Sequence, residues 1–307
     1  MKITVVGAGN VGSSTVKMLA DMEVASQIVL VDVVPGVPQG KALDIAQSAA
    51  CTGKDVHVLG SNTYEPTAGS DICLVTAGFP RKPGMTRDDL LIKNGEVVGG
   101  VIKELARYSP DCIIICVTNP LDAMVYLARK VSGFPRERVI GMAGILDASR
   151  FKLFIAEELG CSAASVNAGV LGSHGDTMVP LIDHTTIDGV PISHLIRKER
   201  LDAIVDRARH GGDEIVNLLK TGSAFYAPAS SICLMIEAIV KDKHQILPCS
   251  AYCQGEFGLE DVYIGVPVML GRRGMERIVE TELSEDELRD LRHSAAVVKE
   301  QLAVLKI

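Results

Sequence analysis

The stretch Ile3-Thr4-Val5-Val6-Gly7-Ala8-Gly9-Asn10-Val11-Gly12 decides the fold. Four β-prone residues run directly into a G-x-G-x-x-G turn, and an amphipathic segment over residues 11–23 follows. That order of strand, glycine turn and helix gives the motif its meaning. Gly7 permits the tight turn, Gly9 lets a pyrophosphate approach the backbone, and Gly12 lets helix and strand pack closely. The free N–H groups and dipole at the helix start favour negative charge. Twenty residues past Gly12, Asp32 ends the second apolar run. A carboxylate there accepts hydrogen bonds from ribose hydroxyls and repels a 2′-phosphate, so the expected cofactor is NAD rather than NADP. A flavin or a methyl donor is the competing ligand for such a turn.

Working outward, further Val- and Ile-rich runs cover residues 28–33, 56–59, 72–76, 112–117 and 138–142. They are almost continuously apolar, as strands covered on both faces are. Helical stretches over 40–50 and 88–108 lie between them. Alternating strands and helices imply parallel pairing through right-handed crossovers, hence an α/β fold with a doubly wound, Rossmann-type sheet. The pattern changes near residue 143. A helix is expected over 148–159, extended segments over 166–171, 178–186 and 262–270, and helices over 201–219 and 285–305. Ser284 and Glu287 have the spacing of a capping box for the last of these. The expected division is a cofactor domain over residues 1–143 and an α/β substrate domain over 144–307.

Composition removes other classes. The chain has 307 residues, 47% hydrophobic and 22% charged, which excludes intrinsic disorder. Its densest apolar run, residues 112–117, is far short of the ~18 residues a membrane helix needs. No secretory signal precedes the first strand, so a cytoplasmic protein is expected. The net charge of −7 and only 12 aromatic residues (six Tyr, six Phe) argue against nucleic acid as a partner. The eight cysteines include no Cys-x-x-Cys pair and read as reduced, structural thiols. No His/Cys cluster has metal spacing, so no metal is expected.

Several polar motifs fall at the ends of apolar runs. Arg81-Lys82-Pro83-Gly84-Met85-Thr86-Arg87 leaves the carboxyl edge of the fourth strand and is rich in cations. Asn119, in Val117-Thr118-Asn119-Pro120, ends the fifth. Asp147 and Arg150 are three apart at a helix start and share a face. His174 stands in Gly172-Ser173-His174-Gly175-Asp176, where flanking glycines clear space for a ligand to reach the ring.

These motifs, in this order from the first residue to the last helix, resemble the lactate/malate dehydrogenase family, and within it the malate-type branch. The resemblance implies a Rossmann half followed by an α/β substrate half, and NAD as cofactor. It implies contacts to NAD from Gly7, Ala8, Gly9, Asn10, Val11, Gly12, Asp32, Asn94, Val117, Thr118 and Asn119. His174 is then the acid/base, with Asp147 orienting it. Arg150 forks onto the C1 carboxylate of the substrate, Arg87 polarises the C2 carbonyl, and Asn119 donates to the same oxygen. Arg81 stands where lactate-type enzymes carry a neutral Gln, and is expected to pair with a C4 carboxylate. The implied reaction is the reversible NAD-dependent oxidation of (S)-malate to oxaloacetate, with a small dicarboxylate as the only partner besides a second copy of the chain. Family members are dimers or tetramers, so a homodimer or homotetramer is expected. A chain starting at its first strand, without the N-terminal arm of vertebrate-type lactate enzymes, loses one route to a tetramer. A lactate or other 2-hydroxyacid dehydrogenase, and a non-catalytic NAD-binding protein, are the alternative readings.

Overall fold

The computed structural model describes residues 1–79 and 86–307. The first strand, β1 (Lys2–Val6), is buried at all but its first residue and leads through the glycine turn into α1 (Asn10–Met22). Alternation continues through β2 (Gln27–Val31), α2 (Val37–Cys51), β3 (His57–Ser61) and β4 (Ile72–Val75). It then repeats with α3 (Arg87–Tyr108), β5 (Ile113–Cys116), α4 (Leu121–Ser132), β6 (Val139–Met142) and α5 (Gly144–Leu159). These six strands pair only in parallel, in the order 3-2-1-4-5-6. The doubly wound sheet expected from the sequence is the one observed. Its order reverses beside β1, and in such sheets ligands bind in the crevice at the carboxyl ends of the strands next to that reversal.

The rest of the chain is cut finer. It runs through β7 (Val166–Asn167), β8 (Val170–Leu171), β9 (Val179–Pro180), β10 (Thr186–Ile187) and β11 (Val190–Pro191). After these come α6 (Lys198–Arg209), α7 (Gly211–Leu219), α8 (Tyr226–Val240), β12 (Gln245–Gln254), β13 (Glu260–Gly271), β14 (Gly274–Ile278) and α9 (Glu285–Leu305). Two expectations are corrected here. The continuous extended segments over 166–171 and 178–186 are two-residue strands separated by turns. The single helix over 201–219 is two helices, broken at His210, where two adjacent glycines, Gly211 and Gly212, weaken helix propagation. The main sheet also continues beyond residue 143. β12 pairs antiparallel with β6 through Cys249↔Met142 and Ser250↔Gly141, and β13 and β14 extend it to nine strands.

The main hydrophobic core spans this sheet, and a smaller one gathers around Phe151, Ile155, Ile192, Leu201 and Ala208. Helix α5 belongs to both. Ile145 and Leu146 enter the main core, while Phe151, Phe154 and Ile155 enter the second, so Asp147 and Arg150 are carried by a helix gripped on either side of them. The capping box at the start of α9 is present: Ser284 Oγ accepts from the Glu287 N–H, and Glu287 Oε2 accepts from the Ser284 N–H. Six of the eight cysteines are buried, and all eight are free. No helix among the described residues is long and apolar enough to cross a membrane.

Candidate active site

The glycine turn sits at the sheet reversal. Gly7 has a φ of 109°, a region that a side chain would strain, and a Cβ on Gly12 would come within 1.9 Å of the Gly7 carbonyl oxygen. Thr76 Oγ1, at the end of β4, donates to that carbonyl at 3.1 Å and stitches the turn to the neighbouring strand. Gly9 faces open space, with no atom within 4 Å of where a Cβ would be. Helix α1 begins with no side-chain cap and no acidic residue in its first turn, so its first N–H groups are left for a ligand. Lys41 Nζ donates to the Ala8 carbonyl at 2.6 Å and adds a positive charge beside the turn. Asp32 closes it from the other side, accepting from the Ala8 N–H at 2.7 Å and from the Val34 N–H at 2.9 Å. An anion cradle next to a carboxylate fits the pyrophosphate and adenosine ribose of NAD. Asn10 is exposed and Val11 half-buried on the same turn.

Across the crevice, the residues after β5 form the floor. The Thr118 hydroxyl donates to the Ala77 carbonyl at 2.7 Å, and the Val117 N–H donates to the Val75 carbonyl. Asn119 precedes Pro120 through a cis peptide. Buried Asn94 on α3 donates to the Asn119 and Phe79 carbonyls at 2.7 and 3.2 Å, and accepts from the Phe79 N–H at 2.8 Å. Its amide is thus engaged in joining the ends of β4 and β5.

The third group is the densest in charge. His174 Nδ1 lies 2.9 Å from Asp147 Oδ2, and Arg150 Nη1 lies 3.4 Å from Asp147 Oδ1. The Asp147 side chain is only 3% exposed and that of His174 18%. The Asp147 charge raises the His174 pKa above its ordinary value, against the opposing effects of burial and of Arg150. Burial lowers that of Arg150, with Asp147 and Asp213 opposing. The turn bearing His174 is held from behind. Gly172 and Gly265 of β13 exchange backbone hydrogen bonds, and the Ser173 N–H donates to Ser294 Oγ on α9 at 2.8 Å. On the other side, Gly175 has a φ of 123° and nothing within 4 Å of where a Cβ would stand.

Arg87 is separate from this group. It opens α3, and its guanidinium pairs with Asp176 at 3.0 Å on the surface, two residues beyond His174. Arg81 lies outside the described residues. The sequence reading did not single out Lys41, Asp122 or the pair Gly211-Gly212. Those glycines fit closely around Arg150: a Cβ on Gly211 would lie 3.0 Å from Arg150 Cδ. Their adjacency was the available signal, because a Gly-Gly pair marks a break in a helical pattern. Lys41 had none, being one lysine in an amphipathic helix.

Residues 1–141 match the lactate/malate dehydrogenase NAD binding domain, and residues 145–306 match the lactate/malate dehydrogenase alpha/beta C-terminal domain. The malate dehydrogenase of Chloroherpeton thalassium is 57% identical over 300 residues, covering 98% of this chain and 97% of that protein. The solved malate dehydrogenase of Salinibacter ruber superposes with a TM-score of 0.95 at 50% identity, over 100% of this chain and 98% of that one. A lactate dehydrogenase from Cryptosporidium parvum, solved with lactic acid and NAD, is equally close in shape: TM-score 0.96 at 41% identity, over 99% and 98% of the two chains. By both domain matches and by full-length identity, the chain belongs to the lactate/malate dehydrogenase family.

Proposed function

We propose that the protein is an NAD-dependent malate dehydrogenase, interconverting (S)-malate and oxaloacetate. The observation that carries the chemistry is the buried His174–Asp147 pair with Arg150 alongside. With Nδ1 committed to Asp147, Nε2 is the ring nitrogen left to exchange a proton with the substrate hydroxyl. Asp147 fixes the orientation of the ring and stabilises the imidazolium once it forms, the base-plus-orienter arrangement of a triad without its nucleophile. Arg150 suits bidentate binding of the C1 carboxylate. Arg87 is within reach of the His174 turn and would offset alkoxide charge at C2, with the substrate competing against Asp176 for it. Asn119, held by Asn94, would donate to the same oxygen. NAD, when bound, supplies the hydride acceptor; Gly7 to Gly12, Asp32, Val117 and Thr118 are the residues that would hold it.

The choice of a dicarboxylate rests on the names of the relatives and on Arg81. A cation at that position is neutralised by the C4 carboxylate of oxaloacetate and left without a partner by the methyl of pyruvate. One charge of a buried pair without its partner costs roughly 2–5 kcal/mol, which is roughly thirty- to several-thousand-fold in preference. Initial rates with NADH and either keto acid test this. Oxaloacetate should be favoured by that margin, and Arg81→Gln should remove most of it by slowing oxaloacetate far more than pyruvate. Equal or faster turnover of pyruvate by the unaltered enzyme would overturn the assignment.

On this reading residues 1–143 are the cofactor domain, which also lends Arg81, Arg87 and Asn119 to the substrate, and residues 144–307 are the substrate domain that carries Asp147, Arg150 and His174. We also infer a cytoplasmic homodimer or homotetramer. Large apolar side chains left exposed, among them Leu43 on α2, Leu218 on α7 and Tyr226 on α8, support an association between copies.

A further inference from the structure

Asp122 is a buried carboxylate that the reaction above does not use. It sits in the first turn of α4, three residues past Asn119, and is 1% exposed. Ser250 Oγ on β12, itself fully buried, donates to Asp122 Oδ1 at 2.6 Å. Ser250 stands opposite Gly265 of β13, and Gly265 exchanges backbone hydrogen bonds with Gly172, two residues before His174, so Asp122 is tied through Ser250 to the strand that backs the His174 turn. Burying a carboxyl group is costly unless donors meet it, and burial does push its pKa up. Ser250, Ser173, the His174 backbone and the charge of the His174 ring all act the other way, as does the N-terminal end of the α4 dipole. Among the described residues, the charges acting most on His174 are Asp147 and Arg150 from α5 and Asp122 from α4, with the exposed Arg87–Asp176 pair at the end of its own turn. Of the titratable groups on β12, the Cys253 thiol is kept protonated chiefly by burial, which pushes its pKa to about 12, with the charge of Asp122 a small addition.

We propose that Asp122 is a positioning residue for His174. Its carboxylate joins the His174 turn to Ser250 of the antiparallel extension and to the start of α4, and sets a second negative charge behind the ring. Asp147 then holds the imidazolium from Nδ1 and Asp122 holds it through space and through the backbone. The two carboxylates come from opposite sides of the residue 143 boundary, so the acid/base is built jointly by both halves of the chain.

This inference rests on the reading of His174 as the acid/base. The test is the pH profile of kcat/KM for oxaloacetate, at saturating NADH, in the full-length enzyme. Reduction needs protonated His174, so activity falls as pH rises through the pKa of that ring. Asp122→Asn keeps the size and removes the charge; it should move the alkaline fall to lower pH by about half a unit. Ser250→Ala strips one donor from the carboxylate and should move it the same way by less. This milder change also serves if Asp122→Asn does not fold. A lower melting temperature or slower rate with the alkaline limb unmoved in both variants would overturn the proposal, leaving Asp122 a structural acid. Undiminished turnover in His174→Asn would instead overturn the reading of His174 itself, so the two failures are told apart.

Discussion

Two arginines serve the same crevice and are held in opposite ways. Arg150 is gripped: its side chain is 13% exposed, Asp147 lies against its guanidinium, Gly211 closes on its stem and Gly212 on the guanidinium. Arg87 is 79% exposed and pairs with Asp176, which is 65% exposed. A buried pair leaves a costly uncompensated charge when one partner is removed, whereas an exposed pair contributes only ~0–1 kcal/mol and is screened by salt. Arg150 is therefore preorganised around the histidine before substrate arrives. Arg87 holds its carboxylate loosely enough to exchange it for a ligand oxygen. The buried cluster should govern protonation and the seating of the C1 carboxylate, while the exposed pair sets only how readily Arg87 leaves Asp176 for the C2 oxygen.

The comparison is broken most directly at Asp147. Asp147→Asn removes the charge that does most to raise the His174 pKa while keeping the shape of the site. The reductive rate should drop about a hundred- to ten-thousand-fold. What remains should fail at lower pH than in the unaltered enzyme, because an imidazole with a lowered pKa loses its proton earlier as pH rises. Steady-state rates of oxaloacetate reduction across pH measure both. A variant whose profile keeps its alkaline limb in place would mean that Asp147 does not set the protonation of His174.

A smaller effect is expected behind Arg150. The Gly211→Ala methyl would stand 3.0 Å from Arg150 Cδ, so the stem of that side chain must give way by a few tenths of an ångström. Overpacking of this kind costs about 1–3 kcal/mol. If Arg150 grips the substrate equally in the ground and transition states, the KM for oxaloacetate should rise about tenfold with kcat nearly unchanged. A fall in kcat at constant KM would show that the arginine acts on the transition state instead.

These glycines also mark where the sequence stops being legible. The strand-turn-helix start, the six apolar runs of the parallel strands and the capping box at Ser284 are local patterns, and they appear where the sequence places them. His174, Asp147 and Arg150 were readable as residue types, yet only the fold brings positions 147 and 174 within 2.9 Å. The antiparallel extension was hidden for a definite reason. β13 was expected over 262–270, but its partner β12 was not: β12 carries Pro248 in mid-strand, and proline within an apolar run argues against a central strand. The role of Asp122 was hidden with it, since its donor Ser250 is on β12.

Shape cannot separate the two activities of the family either. The lactate dehydrogenase and the malate dehydrogenase compared above superpose on this chain equally well. Selectivity must then reside in side chains rather than in the fold, and among the described ones the exposed Arg87–Asp176 pair gives the mildest test. Asp176→Asn frees Arg87 without altering anything buried. Because the pair is solvent-screened, the melting temperature should not change, and kcat/KM for oxaloacetate should rise by no more than about fivefold at low salt. Raising the ionic strength to about 1 M, where the screening length falls to roughly 3 Å, should erase the difference between variant and parent. A loss of tenfold or more would mean that Asp176 shapes the His174 turn, and that the two arginines are less different than their exposure implies.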